Sequence, residues 1–194
     1  AYRDAIREFA PAVNAIFLDG READIRDRVW FAADAYAAFD DAIGHGIDTE
    51  MLEAMAAGLP VVAADWGANR DVVANGENGY LVPTWLPLSE SGGDLTLAPE
   101  NQIMGADDKR ADLFLAGTVS QTTAFDIRAA AETFEALAGD PAHRRKMSDA
   151  ARQTANQNYD WPVVISRHQA IWTELRRIRS DADAVEIAPP VSGQ

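Results

Sequence analysis

The sequence predicts an α/β fold in which helices cover a parallel, doubly wound sheet. Short apolar runs alternate along the chain with longer segments whose apolar residues recur at helical spacing. Turn residues such as Asp19-Gly20, Gly58-Leu59-Pro60 and Asn78-Gly79 separate the two kinds of segment. With 194 residues, 47% of them hydrophobic, the chain is long enough for one such domain with its own core.

The first half of the chain supplies the predicted strands. Four apolar runs are expected to form parallel strands, at residues 13–18, 35–39, 61–64 and 80–82. The helices before and between them are predicted at residues 1–10, 22–33, 50–58 and about 68–74. Gly58 is a typical helix end, because glycine adopts the left-handed conformation that closes a helix.

The second half is predicted to be mainly helical. Residues 84–125 are rich in Gly, Pro, Ser and Asp, with a weak helical stretch at 107–116, and predict an elaborated loop because ordinary connections are shorter. Helices are predicted at residues 126–138, 141–157 and 162–179. The domain is therefore expected to cover residues 1–179, followed by a disordered tail at 180–194.

Composition argues against several classes of function. The formal net charge is −14, from 17 Lys and Arg against 31 Asp and Glu, so a nucleic acid would be repelled. The chain has no cysteine, which excludes disulfides and cysteine-based metal, redox or nucleophilic sites. No apolar run reaches the length of about 20 residues needed to span a bilayer. We expect a cytoplasmic protein, either free or peripherally attached to a membrane.

Residues 41–83 carry the chemistry. They combine a glycine-bearing loop, the helix that starts after it, and a carboxylate one turn inside that helix at Glu53. Loops of this kind lie at the carboxyl ends of parallel strands, where ligands bind. A helix N-terminus suits a diphosphate, and a carboxylate can accept hydrogen bonds from two ribose hydroxyls. The alternative from pattern alone is a core helix with an ordinary capping loop.

The runs LEAMAAGLPVVAADWG and DVV-x-NGENGYLVP resemble the signature of retaining GT-B glycosyltransferases of the nucleotide-sugar-dependent group 1, or family 4, type. PTWLPLSESGGDL, AGTVSQTTAFD, GDPAHRRKM and YDWPVVISRHQAIWTEL are similar to a bacterial subset of the same family, so the resemblance extends from about residue 12 to 176. It implies the Rossmann-like C-terminal half of a GT-B enzyme.

The resemblance implies a set of donor-binding residues. Glu53 matches the second of two family glutamates and is expected to hold the nucleotide ribose. The loop and helix start that face the diphosphate and sugar contain Gly46, Ile47, Asp48 and Thr49. The segment that approaches the base contains Asp19, Gly20 and Arg21. Asp71 occupies an acidic position whose role is less certain.

Two departures from the family pattern bear on activity. His45 stands where the family has its first glutamate, and is the candidate catalytic residue, as a neutral partner of a sugar hydroxyl or a cation near the leaving diphosphate. Drift in an inactive sequence is an equal alternative. Asp48 would lie near the donor phosphates, so either it points away or its charge weakens donor binding.

Other polar and aromatic residues are expected to be structural. His143 and His168 lie in charged helical contexts and are predicted on the surface. Trp161 and Trp172 are predicted to pack the last helix and not to form a sugar platform. That helix is expected to pack only partly on this domain, with part of its apolar face uncovered.

The family pattern contains parts not found in this sequence. These are a first strand, a glycine loop and a helix that supply a basic pair for the diphosphate, a second strand, and the N-terminal domain that binds the acceptor. We therefore expect a domain without its first strands and a gapped or exposed sheet.

The resemblance implies transfer of a hexose from a nucleotide sugar to an acceptor hydroxyl with retention, without cofactor or metal, in bacterial polysaccharide or glycoconjugate biosynthesis. The isolated chain is expected to be inactive. The alternatives are a catalytically degenerate domain with a binding or regulatory role and, less favoured, another GT-B enzyme such as an epimerase.

Overall fold

The computed structural model describes residues 2–39, 47–85 and 123–181. Its helices are α1 (Tyr2–Phe9), α2 (Ala23–Arg28), α3 (Thr49–Ala57), α4 (Asn69–Val72), α5 (Ile127–Gly139), α6 (Pro141–Thr154) and α7 (Trp161–Asp181). A 3-10 turn (Val29–Ala32) extends α2, and a π-helical turn (Ala155–Tyr159) extends α6. The helical stretch predicted at 107–116, and almost all of the predicted loop and tail, lie outside these ranges.

The central sheet has three parallel strands, β1 (Tyr36–Ala38), β2 (Val61–Ala64) and β3 (Gly79–Val82), with β2 in the middle. Ala37 lies opposite Val62, and Val62 lies opposite Tyr80. Two further short strands, β4 (Thr84–Trp85) and β5 (Ala124–Phe125), pair antiparallel at the two ends of the predicted long loop. The α/β architecture and three of the four predicted parallel strands are confirmed.

The prediction of a strand at residues 13–18 is wrong. Residues 13–18 form no strand, and their large apolar side chains, Val13, Ile16, Phe17 and Leu18, are 47–74% exposed. A strand exists only while a neighbouring strand satisfies its backbone groups, and no strand in the described part of the chain lies beside this run. In these ranges no strand lies beside the outer edge of β1 either, and the expectation that the first strands are missing stays a prediction.

The core lies on both faces of β2, whose four residues are at most 2% exposed. Met51 and Met55 of α3 pack with Val61 and Ala63 on one face. On the other face, Val62 packs with a second group of buried residues, Val82, Ala130, Leu137 and Met147. Helices on both faces of a parallel sheet are the doubly wound arrangement that the alternation of strands and helices predicts.

Local chemistry explains where the helices begin and end. Asp126 accepts hydrogen bonds from the backbone N–H groups of Arg128 and Ala129, so it caps α5. Asp140 caps α6 in the same way, with Pro141 in the first turn. Gly58 ends α3 with φ of 88°, a left-handed conformation that a side chain would strain.

Helix α7 confirms one expectation and contradicts another. Along it, only Val163 and Val164 are half-buried in the described part, so the helix packs on this domain at its start alone. Trp161 is 75% exposed and Trp172 is 57% exposed, so the prediction that both are packing residues is wrong for these parts of the chain. The two indoles project from a helix that has little protein beneath it.

The two described C-terminal histidines differ. His168 is exposed, as predicted. His143 is half-buried, because its Nε2 lies 2.7 Å from the hydroxyl of Tyr80 on β3, so the prediction of a surface residue is wrong there. The contact joins α6 to the sheet across residues 63 positions apart, which no local pattern reveals.

Candidate functional site

The site is built around α3, whose buried side packs against Val61 and Ala63 of β2. The helix follows β1 in the chain and begins at Thr49. His45 and Gly46 lie outside the described residues, so their predicted roles stay predictions. Ile47, Asp48 and Thr49 are described and form the approach to the helix.

Asp48 is the N-cap of α3. Its Oδ1 accepts a hydrogen bond from the backbone N–H of Glu50 at 3.0 Å, and its Oδ2 accepts one from the hydroxyl of Tyr36 at 3.1 Å. Both carboxylate oxygens are therefore engaged within the domain. A capping carboxylate is stabilised by the positive end of the helix dipole, which explains an acidic residue here. The negative charge nevertheless stays at the first turn of α3, where the resemblance implies the donor diphosphate.

Glu53 lies one turn inside α3, on the side of the helix away from the core. Its neighbours Met51, Ala54 and Met55 are fully buried, whereas Glu53 is exposed. Within the described ranges its carboxylate makes no hydrogen bond or ion pair. A charged group on a helix, with no partner among the described residues, is available to bind a ligand.

Two clefts flank Glu53. The α2–α3 cleft, of about 590 Å³, is lined by Arg26, Asp27, Trp30, Phe31, Glu53 and Arg152 together with two alanines. The α3–α7 cleft, of about 310 Å³, lies on the other side of the helix, and Thr49, Leu52, Glu53, Asn156, Tyr159 and Trp161 line it together with Asp160 and two alanines. Glu53 thus forms part of the wall of both.

The charges of the α2–α3 cleft are largely balanced. Arg26 lies 3.5 Å from the carboxylate of Asp27. Arg152 donates a hydrogen bond to the backbone carbonyl of Ala57 at 3.1 Å and lies 3.9 Å from Asp149. Because both guanidinium groups already have partners, this cleft offers little net attraction for a diphosphate.

Tyr159 connects Asp71 to the α3–α7 cleft. The Tyr159 hydroxyl donates a hydrogen bond to the backbone carbonyl of Asp71 at 3.1 Å. Burial raises the pKa of Tyr159, and the negative charge of Asp71 raises it further, while Arg167 acts in the opposite direction. The phenol therefore stays neutral and keeps its donor at physiological pH. Asp71 is exposed and lies beside the cleft without lining it.

Asp19, Gly20 and Arg21 form a local turn. The Arg21 guanidinium contacts the Asp19 carboxylate with two nitrogens, Nε to Oδ1 at 2.9 Å and an Nη to Oδ2 at 2.6 Å. This side-chain contact, together with the Arg21 backbone N–H, lowers the pKa of Asp19. None of the three residues lines either cleft, so the structure does not join them to Glu53. Their approach to a base stays a prediction.

Sequence reasoning missed Asn156 and Tyr159, and interpreted Trp161 as a packing residue. The signal available was the helix start Asp160-Trp161-Pro162, which gives no sign that the preceding turn faces α3. In the described ranges, no cluster of three or more His, Cys, Asp or Glu side chains could hold a metal ion. In the same ranges, no helix has the length and apolar character to cross a membrane.

This chain is similar to known proteins both in sequence and in fold. Residues 3–87 match a family described as glycosyl transferases group 1. No match was found among curated protein sequences. The chain is similar to the solved structure of sucrose-phosphate synthase from Thermosynechococcus elongatus, with a TM-score of 0.57 and 16% identity. That similarity covers 91% of this chain and 34% of the synthase, so the chain spans about a third of that enzyme's length.

At this level of identity the structural similarity concerns the fold. The family match is independent of it and extends from α1 to β4, through Glu53 and the whole parallel sheet. Residues 3–87 are thus similar to group 1 glycosyl transferases, and the chain shares its fold with part of the synthase.

Proposed function

We propose that this chain forms the donor-binding, C-terminal half of a retaining GT-B hexosyltransferase that acts in the cytoplasm. In this proposal it binds a nucleotide sugar, and the sugar passes to an acceptor hydroxyl held by another domain, without cofactor or metal. The observation that carries the proposal is Glu53, an exposed carboxylate without a partner in the described ranges, one turn into α3 and facing two clefts.

Glu53 has the chemistry that ribose recognition requires. A carboxylate can accept hydrogen bonds from two adjacent hydroxyls, and each hydrogen bond to a charged group contributes about 1.5–3 kcal/mol. The buried side of α3 fixes the backbone that carries it. A ribose held here would direct the diphosphate towards the start of the helix, whose N–H groups favour anions.

His45 and Asp48 decide how far activity is retained. In the proposed enzyme, His45 assists transfer as a partner of a sugar hydroxyl or as a cation near the departing diphosphate. Asp48 opposes binding, because like charges at close range repel even when partly screened. The proposal thus expects donor affinity to be limited by Asp48.

The first test compares wild type with Glu53→Gln in the full-length protein. Calorimetric titrations use UDP, GDP and ADP and, for whichever binds, its 2′-deoxy counterpart. We expect Glu53→Gln to weaken binding about tenfold or more. The wild type should also prefer the ribonucleotide, and the variant should lose that preference, because the lost contact is to a ribose hydroxyl.

Glu50→Gln is the matched control, since Glu50 is an exposed glutamate on the same helix that lines neither cleft. It should bind at least as tightly as wild type, because removing a negative charge from the first turn of α3 can only reduce repulsion of the diphosphate. Unchanged affinity in Glu53→Gln would remove Glu53 from the site, and an equal loss in both variants would assign the effect to helix charge.

Asp48 favours a second candidate function, a catalytically degenerate domain used for binding or regulation. Its charge at the start of α3 serves the fold and disfavours the donor. This candidate predicts that wild type binds none of the three diphosphates at millimolar concentration. Binding by wild type would favour the transferase, whereas binding by Asp48→Asn alone would show that Asp48 blocks the donor and would favour the degenerate domain.

A further inference from the structure

The α3–α7 cleft contains an arrangement that the family resemblance does not account for. Asn156, on the π-helical turn, is exposed, and its side-chain amide makes no hydrogen bond in the described part of the chain. Glu53, also without a partner there, lies in the same cleft. Trp161 contributes an indole that is 75% exposed. The cleft thus combines an amide and a carboxylate, both available to a ligand, with an apolar aromatic surface.

The walls of this cleft are held in place by contacts behind them. Ala155 of the π-helical turn is buried against the core that includes Met51 and Met55 of α3. The Tyr159 hydroxyl is hydrogen-bonded to α4 at the carbonyl of Asp71. Asp160 accepts a hydrogen bond from the backbone N–H of Trp161 at 2.8 Å, which fixes the start of α7.

The end of the turn is fixed as well. Arg167 of α7 reaches back to Asn158, donating to its backbone carbonyl at 3.1 Å and to its side-chain oxygen at 3.2 Å. The side chains that face the cleft therefore stand on a backbone tied to three other elements. Widened π-helical turns of this kind frequently occur at functional sites.

The chemistry of the lining fits a sugar ring. One face of a furanose or pyranose is made of C–H groups that pack against an aromatic ring, while hydroxyls at the rim require donors and acceptors. Asn156 offers both a donor and an acceptor, and Glu53 offers acceptors. A volume of about 310 Å³ lies at the lower end of the range for ligand pockets, which suits one ring and not an entire nucleotide.

We propose that Asn156 and Trp161 complete, with Glu53, a subsite for the ribose ring of the nucleoside diphosphate, with the ring packed on the Trp161 indole. This inference rests on the proposed function and adds its specificity residues. It also gives a role to the exposure of Trp161, which packing within the described domain does not explain. Thr49, in the same cleft, places the subsite beside the start of α3.

The test uses Trp161→Ala and Asn156→Ala in the full-length protein, titrated with UDP, GDP and ADP. We expect each substitution to weaken binding of the recognised diphosphate about tenfold, since each removes one direct contact with the ribose ring. Trp161→Phe should retain most of the affinity, because an aromatic surface remains. Both residues are exposed, so melting temperatures should match wild type.

The chain offers matched controls. Trp172→Ala removes another exposed tryptophan of α7, and Gln157→Ala removes the exposed neighbour of Asn156; neither residue lines the cleft. Both should bind like wild type. If Glu53→Gln weakens binding while Trp161→Ala and Asn156→Ala bind like these controls, the ribose subsite is wrong and the proposed function stands.

A further comparison identifies the ring. If Trp161 contacts the ribose, Trp161→Ala weakens binding of the nucleoside diphosphate and binding of its glucose ester by the same factor. A loss seen only with the glucose ester would assign the cleft to the transferred sugar and overturn the ribose assignment. If no diphosphate binds wild type or Asp48→Asn, the proposed function fails and this inference fails with it.

Discussion

Residues 13–18 and residues 61–64 are both short apolar runs, yet only the second is a strand. Residues 61–64 lie between β1 and β3, with helices over both faces, and are almost wholly buried. Residues 13–18 have no neighbouring strand in the described part of the chain, and their large apolar side chains are exposed, although the Arg3 guanidinium lies over the Phe17 ring, 4.6 Å from its centroid. The difference shows that an apolar run favours a strand, but that the strand forms only where a neighbouring strand pairs with its backbone.

The largest effect that tests this comparison is a charge placed in each run. Val62→Asp puts a carboxylate between buried apolar side chains and should lower the free energy of unfolding by more than about 4 kcal/mol. Ile16→Asp should change it by less than about 0.5 kcal/mol, because Ile16 is exposed. Urea denaturation of both variants measures the difference. A comparable loss for Ile16→Asp would mean that residues 13–18 are buried in the intact protein.

The same contrast explains how much of the fold the sequence predicts. Helix ends were placed correctly where one residue suffices, as with Gly58 at the end of α3 and Asp140-Pro141 at the start of α6. The prediction failed at residues 13–18, because pairing depends on a second segment. It also failed at His143, whose partner Tyr80 is distant in sequence.

A smaller effect is expected from a methyl group added to a glycine of each region. In Gly79→Ala the new Cβ would overlap the backbone oxygen of Val61 and lie 3.1 Å from the Val73 side chain, both inside the packed sheet. We expect a loss of about 2 kcal/mol in the free energy of unfolding. Gly20→Ala meets no atom within 4 Å and should unfold like wild type. Thermal unfolding of the two variants would refute the contrast if both lost stability equally.

The candidate site could be predicted only in part. Glu53 follows from its place in a helix that the sequence predicts, and its contact with the donor stays a prediction. The hydrogen bond from Tyr36 that engages Asp48, and the position of Asn156 in the same cleft as Glu53, depend on packing between distant segments. The exposure of Trp161 could not be predicted for the same reason, because local sequence does not determine which other segments pack on a helix.

The smallest effect concerns Asp19 and Arg21 in the exposed region. Arg21→Gln removes the contact that lowers the pKa of Asp19, so that pKa should rise towards its usual value, with the backbone N–H contact remaining. Because the pKa of Asp19 is lower in the folded state, the ionised carboxylate stabilises the folded protein at a pH above the pKa of the unfolded state. That contribution is lost as the pH falls through the pKa of the folded state. An NMR titration of the Asp19 carboxyl measures the shift. An unchanged pKa would show that the ion pair is absent in solution.

Deamidation of Asn78 should report local unfolding of the protein. Asn75-Gly76 and Asn78-Gly79 both have the sequence that deamidates most readily, because a glycine nitrogen easily reaches the preceding side-chain carbonyl. The Asn78 amide is held by the Val72 carbonyl, Thr154 and the Ala74 N–H, whereas Asn75 is exposed and has one such contact, from Leu81. We therefore expect folded protein to deamidate at Asn75. Deamidation at residue 78, detected by peptide mapping, would measure the fraction of molecules in which this segment has unfolded.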